Sequence, residues 1–525
     1  MISRRWINLV ILFVAASCAV GGAGDWPSYG HTPNRNSIAV DGPNTIDAST
    51  VAWIADDDPQ DPNFYVEFEG ATGPVVYNEK VYAYAKYFEP NEESPSGFYY
   101  THSQIIAYDA NSGEMLWATA IDKAKAGYDS WSSPCIDTKH NTVLMGSGYR
   151  IFALDAESGT QQWATQLDEE VTNASVCAAV DIPHARAFIT DYSGYSSPSG
   201  KLYCINLDAN EPNNPYEPGE VVWSDTIGST SGSSPAYKNG VVYVASITDP
   251  NNPWPSCGAI HAYDATAATV VKLWQSTDPN FEGFTGGVTV TKEGFLYAAN
   301  YDFYGEGDNS ALCKIDCNDG SIVWITQTER TSSMPVVVGD KIYIAGGLEG
   351  YGSRPKVEAY LDHGDKAGKL WETSAGLGVG GWSNQPVYAN GKLYVGAIPT
   401  GGNFFGAYTD LYIFDVTITA EDSNLIPDDP NFIIDNYDGC GNSPAVTYDS
   451  IYTIDSNGLF KFYQPALLGD ISKDDKVDVN DVAELVDVWL YDGPVGSIRS
   501  DLDLDGDVDS IDFSVLAGEW KRQLN

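Results

Sequence analysis

A repeated Asp-x3-Gly-x3-Trp motif constrains the fold of this chain more than any other feature. Copies at identical spacing span residues 109–117, 155–163 and 316–324, and looser copies span 208–223, 264–274 and 362–371. The tryptophans follow one another at intervals of 46, 60, 51, 50 and 47 residues. A period of this length indicates propeller blades or a similar array, because one short unit cannot bury its apolar face alone.

Each copy of the motif has the composition of a tight β-hairpin. In the first copy, an apolar run ends at Asp109, the turn Ala110-Asn111-Ser112-Gly113 follows, and residues 114–117 return to the tryptophan. Asp and Asn side chains satisfy backbone amides in such turns, and Gly supplies a positive φ. The tryptophan is large enough to seal the space between neighbouring units.

A short polar element, which usually ends in proline, opens each unit. Residues 72–74, 132–134 and 233–235 are examples, and each precedes a strand, a polar turn and a second strand. Every unit is therefore predicted to contain four strands, and radially stacked four-stranded units form a β-propeller. The first strands start near residues 74, 134, 176, 235, 287, 335, 386 and 444. We predict an all-β, eight-bladed β-propeller of four-stranded blades, with seven or nine blades as the alternatives.

The eighth unit is one strand short, since it ends at residues 459–463. Residues 51–54, with the sequence Val-Ala-Trp-Ile, resemble a tryptophan-bearing fourth strand and have no unit before them. We predict that this N-terminal strand completes the eighth blade, because ring closure removes both exposed sheet edges.

These units, together with the opening Asp25-Trp26-Pro27-Ser28-Tyr29-Gly30, resemble the pyrroloquinoline-quinone-like (PQQ-like) β-propeller repeat family over residues 25–464. The resemblance implies the fold and leaves the function open, because the family includes quinoprotein dehydrogenases, outer-membrane assembly lipoproteins and propellers of unknown role. Quinoprotein alcohol dehydrogenases carry adjacent cysteines beside the quinone, and this sequence has none. We therefore assign no catalytic residues and favour a cofactor-free propeller over one that binds pyrroloquinoline quinone.

Charge and the first residues bear on location. The net charge of −44 excludes general affinity for nucleic acid. Arg4 and Arg5, the apolar residues 6–16 and the small residues 19–24 predict a signal peptide over residues 1–24. Cleavage is favoured over lipidation of Cys18, whose preceding residues resemble a lipobox without the usual Leu. We expect a secreted or cell-surface protein without a transmembrane segment, and a periplasmic or lipid-anchored protein is the alternative.

Long aromatic loops join the second and third strands in six predicted blades. They span residues 88–100, 192–200, 249–257, 301–308, 348–355 and 399–409. Aromatic rings beside Asn, Ser and Gly suit a glycan or protein surface, because they combine apolar area with adaptable hydrogen bonding. We hypothesise a ligand-binding face that uses Trp254, Tyr301, Tyr304, Tyr351 and Phe405. The alternative is that the loops only pack against each other.

Two acidic 12-residue loops, 31 residues apart, follow Gln464-Pro465. Their oxygen atoms match positions 1, 3, 5, 7, 9 and 12 of a calcium-binding loop, with a backbone carbonyl at position 7. The predicted ligands are Asp470, Ser472, Asp474, Lys476, Asp478 and Asp481 in the first loop, and Asp501, Asp503, Asp505, Asp507, Asp509 and Asp512 in the second. A short helix with an apolar face is predicted after each loop, and the two faces are expected to pack together.

This duplicated arrangement resembles a dockerin module over residues 469–522, which implies two calcium ions and a cohesin-type partner on a scaffold or cell surface. Ser472 and Asp475 depart from the usual residues at positions 3 and 6, so the first site is expected to be weaker. Residues 479–480 and 510–511 occupy the positions that carry recognition in the family. They read Val-Asn and Ser-Ile instead of Ser-Thr, which leaves the partner type open.

The sequence therefore divides into a signal peptide (1–24), a PQQ-like propeller (25–464) and a dockerin module (465–525). We interpret the protein as a non-cytoplasmic propeller that binds a ligand or protein partner. The dockerin would tether it to a cohesin-bearing scaffold or cell surface, in polysaccharide degradation. The alternatives are a quinone-dependent sugar or alcohol dehydrogenase carried by the same module, and a purely structural propeller.

Overall fold

The computed structural model describes residues 24–56, 65–68, 72–93, 98–123, 132–195, 197–249, 257–279, 281–301, 310–348, 353–374, 376–398, 408–417, 432–455 and 458–524. Within these residues the strands form eight sheets, which are the blades of a β-propeller. Two short helices follow near the C-terminus. The predicted all-β, eight-bladed architecture is confirmed.

Blades one to seven run from strand A to strand D in chain order. The A strands of neighbouring blades contact each other, so they line the axis of the ring. Blade one contains Val75–Tyr77, Lys80–Pro90, Phe98–Asp109 and Met115–Ile121, and blade two contains Cys135–Asp137, Thr142–Asp155 and Gln161–Val171. Blade three contains Cys177–Ala179, Arg186–Thr190, Gly200–Asn206 and Val221–Gly228, and blade four contains Ala236–Lys238, Val241–Ser246, Ala259–Asp264 and Lys272–Thr277. In blade two the single strand Thr142–Asp155 pairs with both strand A (Cys135–Asp137) and strand D (Gln161–Val171), and so takes the place of strands B and C.

The remaining blades repeat this pattern. Blade five contains Thr289–Val290, Phe295–Ala299, Ala311–Asp316 and Ile322–Gln327, and blade six contains Val336–Val338, Lys341–Gly346, Lys356–Asp362 and Ala367–Glu372. Blade seven contains Val387–Ala389, Lys392–Ala397, Asp410–Asp415 and Ile433–Asp438, and blade eight contains Ala445–Val446, Ser450–Asp455 and Gly458–Tyr463. Two further strands, Tyr65–Phe68 and Ile38–Ala39, pair with blade one and blade seven.

Blade eight is completed from the N-terminus, as predicted. Val51–Asp56 pairs antiparallel with Gly458–Tyr463 and takes the place of the missing strand D. Trp53 of this strand donates a hydrogen bond from Nε1 to the carbonyl oxygen of Ala110 in blade one, at 3.1 Å. The first and last blades are thus joined, and Gly458–Tyr463 is paired on both sides instead of forming an exposed edge.

The packing between blades explains the repeated motif. Trp117 of blade one lies over Gly159 of blade two, where an added Cβ would come within 2.5 Å of the indole ring. Gly159 also has a φ of 68°, a conformation that strains residues with a side chain. Trp53 on Gly113 and Trp274 on Gly320 make the same contact. The copies at 109–117 and 155–163 therefore each carry a glycine that receives the preceding blade's tryptophan and a tryptophan that covers a glycine of the next blade, Gly159 and Gly219.

The polar element before each A strand also joins neighbouring blades. The backbone N–H of Ser133 donates to Ser175 Oγ in the next blade at 2.9 Å, and that of Ser175 donates to Ser234 Oγ at 2.9 Å. Further around the ring, the N–H of Gln385 donates to Ser443 Oγ at 3.0 Å. These buried hydroxyl groups therefore act as inter-blade acceptors near the axis.

An N-terminal segment, residues 25–42, crosses one end of the axis, which the sequence analysis did not predict. It forms bridges or hydrogen bonds with the A strands of six blades, at Val76, Cys135, Tyr237, Val290, Val337 and Tyr388. Arg35 is fully buried and donates from Nε to the carbonyl oxygen of Pro235 and from Nη2 to that of Val176. The innermost strands are thus held together by this segment at the end that carries the A–B turns, called the turn end below.

The helices Val479–Asp487 (α1) and Ser510–Gly518 (α2) pack against each other after their loops. Leu485 and Leu516 are buried between them, as expected. The helices pack together through part of the predicted faces, and the side chains of Val486, Trp489, Phe513 and Trp520 stay 57%, 41%, 38% and 43% exposed. The helices are too short to cover all of these large side chains with each other. No helix in the described residues is long and apolar enough to cross a membrane.

Candidate metal centre

The two acidic loops have the same backbone conformation. The fourth and sixth positions have positive φ in both, with 61° and 63° at Lys473 and Asp475, and 59° and 85° at Leu504 and Gly506. The substitution of Asp475 for glycine therefore does not change the path of the first loop. It places a Cβ in the left-handed region, which costs about 1 kcal/mol relative to glycine.

The last two predicted ligands of each loop begin the following helix. Asp478 and Asp509 are the N-caps of α1 and α2, and they accept hydrogen bonds from Asn480 N and Ile511 N. Asp481 and Asp512 complete the capping boxes by accepting from the cap N–H groups at 2.7 Å. A second oxygen of Asp512 accepts from Leu502 N at 2.6 Å. The position-12 carboxylates are therefore oriented by the backbone of their own loops.

The second loop concentrates negative charge in its interior. Asp501, Asp503 and Asp512 each place a carboxylate oxygen within 4.8 Å of the others. Asp501 is 1% exposed, and Oδ1 of Asp501 and Oδ1 of Asp503 are buried without a hydrogen-bond partner among the described residues. Buried carboxylates that lack partners are costly, because the charge has lost water and gained nothing in return. A hard cation with oxygen ligands fits this donor set.

The same crowding changes the pKa values of these groups. Burial raises the pKa of Asp501 to about 7, and the charges of Asp503 and Asp512 act in the same direction. Burial also raises the pKa of Asp503 to about 7, with a further contribution from the charge of Asp505. The pKa of Asp512 is raised as well, mainly by burial. The second loop therefore disfavours its own charged form unless a positive charge is present.

The first loop is less crowded. Asp470 Oδ1 accepts from Asp474 N at 3.0 Å, and Asp470 Oδ2 accepts from Asp475 N at 2.8 Å, so both oxygens have partners. Burial raises the pKa of Asp470. Ser472 supplies a hydroxyl where Asp503 supplies a carboxylate, and Asp474 is exposed. Among the acidic side chains in the described part of the chain, a three-membered cluster forms only in the second loop.

The side chain at position 7 of the second loop points away from the cluster. Asp507 Oδ1 lies 2.5 Å from Nζ of Lys292, which belongs to the A–B turn of blade five. Position 7 contributes a backbone carbonyl in calcium-binding loops, so this side chain is not needed as a ligand. The corresponding residue of the first loop, Lys476, is exposed. Sequence spacing gave no signal for Lys292, which lies more than 200 residues from its partner.

The structure describes one of the five aromatic residues proposed for the ligand-binding face. Tyr301 is 5% exposed and packs on Trp382, with ring centroids 5.4 Å apart. The guanidinium of Arg330 lies 5.7 Å from the Tyr301 ring. Among the described residues Tyr301 thus packs within the propeller, and its role in a ligand-binding face stays a prediction. The other proposed residues lie outside the described part of the chain: Trp254, Tyr304, Tyr351 and Phe405.

Comparison with known proteins identifies one family. The profile PQQ_2, described as "Outer membrane protein assembly factor BamB", matches residues 63–266 and 256–397, which together exceed half of the 525 residues. BamB from Moraxella catarrhalis is similar with a TM-score of 0.46 and 15% identity, covering 72% of this chain and 96% of that chain. Quinohemoprotein alcohol dehydrogenase from Comamonas testosteroni has a TM-score of 0.34 and 12% identity, covering 65% and 77%. Comparison with curated protein sequences finds no match.

Proposed function

Since the chain belongs to the PQQ-like propeller family described as outer membrane protein assembly factor BamB, we propose that it is a non-cytoplasmic binding protein with a calcium-dependent C-terminal module. The family description supports a location outside the cytoplasm and a role in contacts with other proteins. The signal-like residues 1–24 agree with this location. In this proposal the propeller binds a protein partner or glycan, and residues 465–525 form a dockerin-type module.

The observation that carries the calcium proposal is the pair of unpartnered buried oxygens in the second loop, Asp501 Oδ1 and Asp503 Oδ1. Native proteins rarely bury polar atoms without a partner, so these two atoms favour a cation between them. The side chains of Asp501, Asp503, Asp505, Asp509 and Asp512 would hold it, together with the Asp507 carbonyl. Calcium supplies positive charge there and performs no reaction. The same positions of the first loop would hold a second ion more weakly.

Exposed apolar side chains support a protein partner for the module. Val479 and Ile511, at the positions that the dockerin resemblance assigns to recognition, are 67% and 41% exposed. Trp489 and Trp520, two residues beyond the ends of α1 and α2, are also partly exposed. Apolar side chains in such a concentration are unusual on a free surface and are typical of protein contacts. We therefore propose a cohesin-type partner, which would tether the protein in a polysaccharide-degrading system.

The quinone-dependent sugar or alcohol dehydrogenase stays the alternative proposal. No side-chain geometry in the described residues favours it over the binding protein. A visible absorption spectrum after addition of pyrroloquinoline quinone and calcium separates the two, because only the alternative predicts a bound quinone.

Calcium titration of the full chain tests the proposal directly. Isothermal titration calorimetry is expected to show calcium binding, with the tighter site lost in Asp501→Asn. Asp487→Asn is the matched control, because this exposed residue at the end of α1 lies outside both loops. Absence of calcium binding to the unsubstituted chain, or equal loss in the two variants, would refute the calcium module.

A further inference from the structure

The second acidic loop lies against the turn end of the propeller. Lys292 of blade five forms two ion pairs with the C-terminal module, at 2.5 Å to Asp507 and 3.0 Å to Asp492. Its side chain is 26% exposed, so these pairs are partly shielded from water. The pairs connect a propeller turn to the loop and to the residues that precede it.

Apolar contacts accompany these ion pairs. Leu504, at position 4 of the second loop, and Val495 pack on the hydrophobic cluster that contains Ile38 and Val338. Ile38 belongs to the N-terminal segment and is 1% exposed. The module therefore packs on a cluster to which the N-terminal segment contributes Ile38.

Glycine at the sixth position of the second loop leaves room for the contact with Lys292. A Cβ at Gly506 would lie 2.5 Å from the carbonyl oxygen of Gly493 and 2.7 Å from Cδ of Lys292. The carbonyl oxygen of Gly506 also accepts a hydrogen bond from Gly493 N at 2.9 Å. The first loop has Asp475 at the same position, and its side chain would occupy the space that the lysine needs.

A second ionic contact fixes the module to the N-terminal segment. Arg499, two residues before the second loop, lies with Nη2 3.3 Å from Asp41 Oδ2. Asp41 Oδ1 also pairs with the Lys392 ammonium of blade seven, at 2.8 Å. Asp41 therefore links the module to a blade through the N-terminal segment.

From these contacts we infer that the second loop is a docking surface for the propeller's own N-terminal segment, and that calcium in this loop locks the module onto the turn end. The inference rests on the proposed calcium site. Leu504 and Gly506 alternate with the proposed ligands Asp503, Asp505 and Asp507, so a cation that orders the ligands also orders the docking residues. Because binding linkage is reciprocal, docking in turn strengthens calcium binding. The module is then part of the propeller body when calcium is present.

Hydrogen–deuterium exchange of the full chain, with and without calcium, tests the docking. Calcium is expected to slow amide exchange in residues 33–42 by about tenfold, because the docked module keeps water from this segment. Lys292→Met should reduce that effect to less than about twofold. Lys272→Met is the matched control, since Lys272 is 29% exposed and pairs with Asp225 within the propeller at 3.2 Å.

Calorimetric calcium titration of the same samples separates the two proposals. If calcium binds but exchange in residues 33–42 is unchanged in the unsubstituted chain, the docking is refuted and the calcium module stands. If Lys292→Met keeps the full protection, the ion pairs do not hold the module and the docking surface is likewise wrong. If no calcium binds, the proposed calcium module fails, and the locking inference fails with it.

Discussion

The propeller and the C-terminal module differ in what satisfies their buried groups. In the propeller, buried serine hydroxyls accept amide hydrogen bonds from neighbouring blades, and the fully buried Arg35 donates to backbone carbonyls. In the module, buried oxygens of Asp501 and Asp503 have no partner in the described residues. Buried polar atoms without a partner also occur singly in the described part of the propeller, for example Ser37 Oγ and Thr172 Oγ1, whereas in the module two such atoms are carboxylate oxygens of one cluster.

The apolar cores of the propeller and the module also differ in size. The propeller has apolar clusters along its blades, whereas the module has a single small one, made of Leu467, Leu468, Ile471, Val477, Leu485, Leu502, Val508 and Leu516. A unit of this size rarely folds stably on its apolar core alone and commonly uses a structural metal. We therefore expect the propeller to be stable without a bound ligand and the module to be unstable without one.

Removal of the closing strand should have the largest effect on the propeller. Deletion of Val51–Asp56 removes the strand D of blade eight, including Trp53, whose indole contacts Gly113 of the next blade. We expect the free energy of unfolding to fall by at least about 4 kcal/mol, since loss of a packed tryptophan alone costs 3–5 kcal/mol. Urea denaturation followed by tryptophan fluorescence measures this. Ile54→Thr, at a residue that is 44% exposed, is the control and should leave the midpoint almost unchanged.

The glycine under each tryptophan gives a sharper test of blade packing. Gly159→Ala should lower the free energy of unfolding by about 3 kcal/mol, because the new methyl group meets Trp117 and the residue keeps a positive φ. Gly294→Ala is matched for φ, at 82° against 68°, but nothing lies within 4 Å of its added methyl group. It should cost about 1 kcal/mol. Equal losses in the two variants would show that backbone strain alone explains the glycine.

Acid should weaken the propeller through a buried histidine. His261 is fully buried beside Ser246, and burial lowers its pKa to about 3. The unfolded chain takes up this proton near pH 6.5, so the contribution of His261 is complete above that pH and is lost as pH falls towards 3. Between pH 7 and pH 5 we expect a loss of about 2 kcal/mol from this residue. Denaturant unfolding of His261→Gln should show a shallower dependence on pH, and an unchanged slope would contradict this assignment.

The smallest expected effect is a difference in calcium affinity between the two acidic loops. Asp501→Ala should weaken calcium binding about tenfold more than Asp470→Ala, because Asp501 belongs to the three-carboxylate cluster and Asp470 does not. Competition with a calcium-sensitive chelator measures both affinities in the full chain. If Asp470→Ala has the larger effect, the order of the two sites is reversed.

Regular spacing in the sequence was enough to predict the architecture. The motif of Asp109, Gly113 and Trp117 recurs because the tryptophan of one blade contacts the hairpin of the next, so packing leaves a periodic trace in the sequence. The strand at Val51 could be placed because blade eight visibly lacked one. The acidic loops were also visible, since their residues lie close together in the chain.

Contacts between distant residues left no such trace. Arg35 donates to Pro235, and Lys292 pairs with Asp507, but neither pair has a spacing or composition that singles it out. The contact of Tyr301 with Trp382 likewise could not be predicted, because composition does not show which aromatic rings pack on each other. Helical periodicity likewise marks apolar faces without showing which of their residues another element covers.

We expect the propeller to fold without calcium and the C-terminal module to require it. Differential scanning calorimetry of the full chain at neutral pH, in calcium and in chelator, tests this expectation most directly. Chelation of calcium should lower the temperature of the smaller transition, that of residues 465–525, or abolish it. The larger transition of the propeller should shift only slightly. Identical calorimetric traces in calcium and in chelator would show that the C-terminal module does not require calcium.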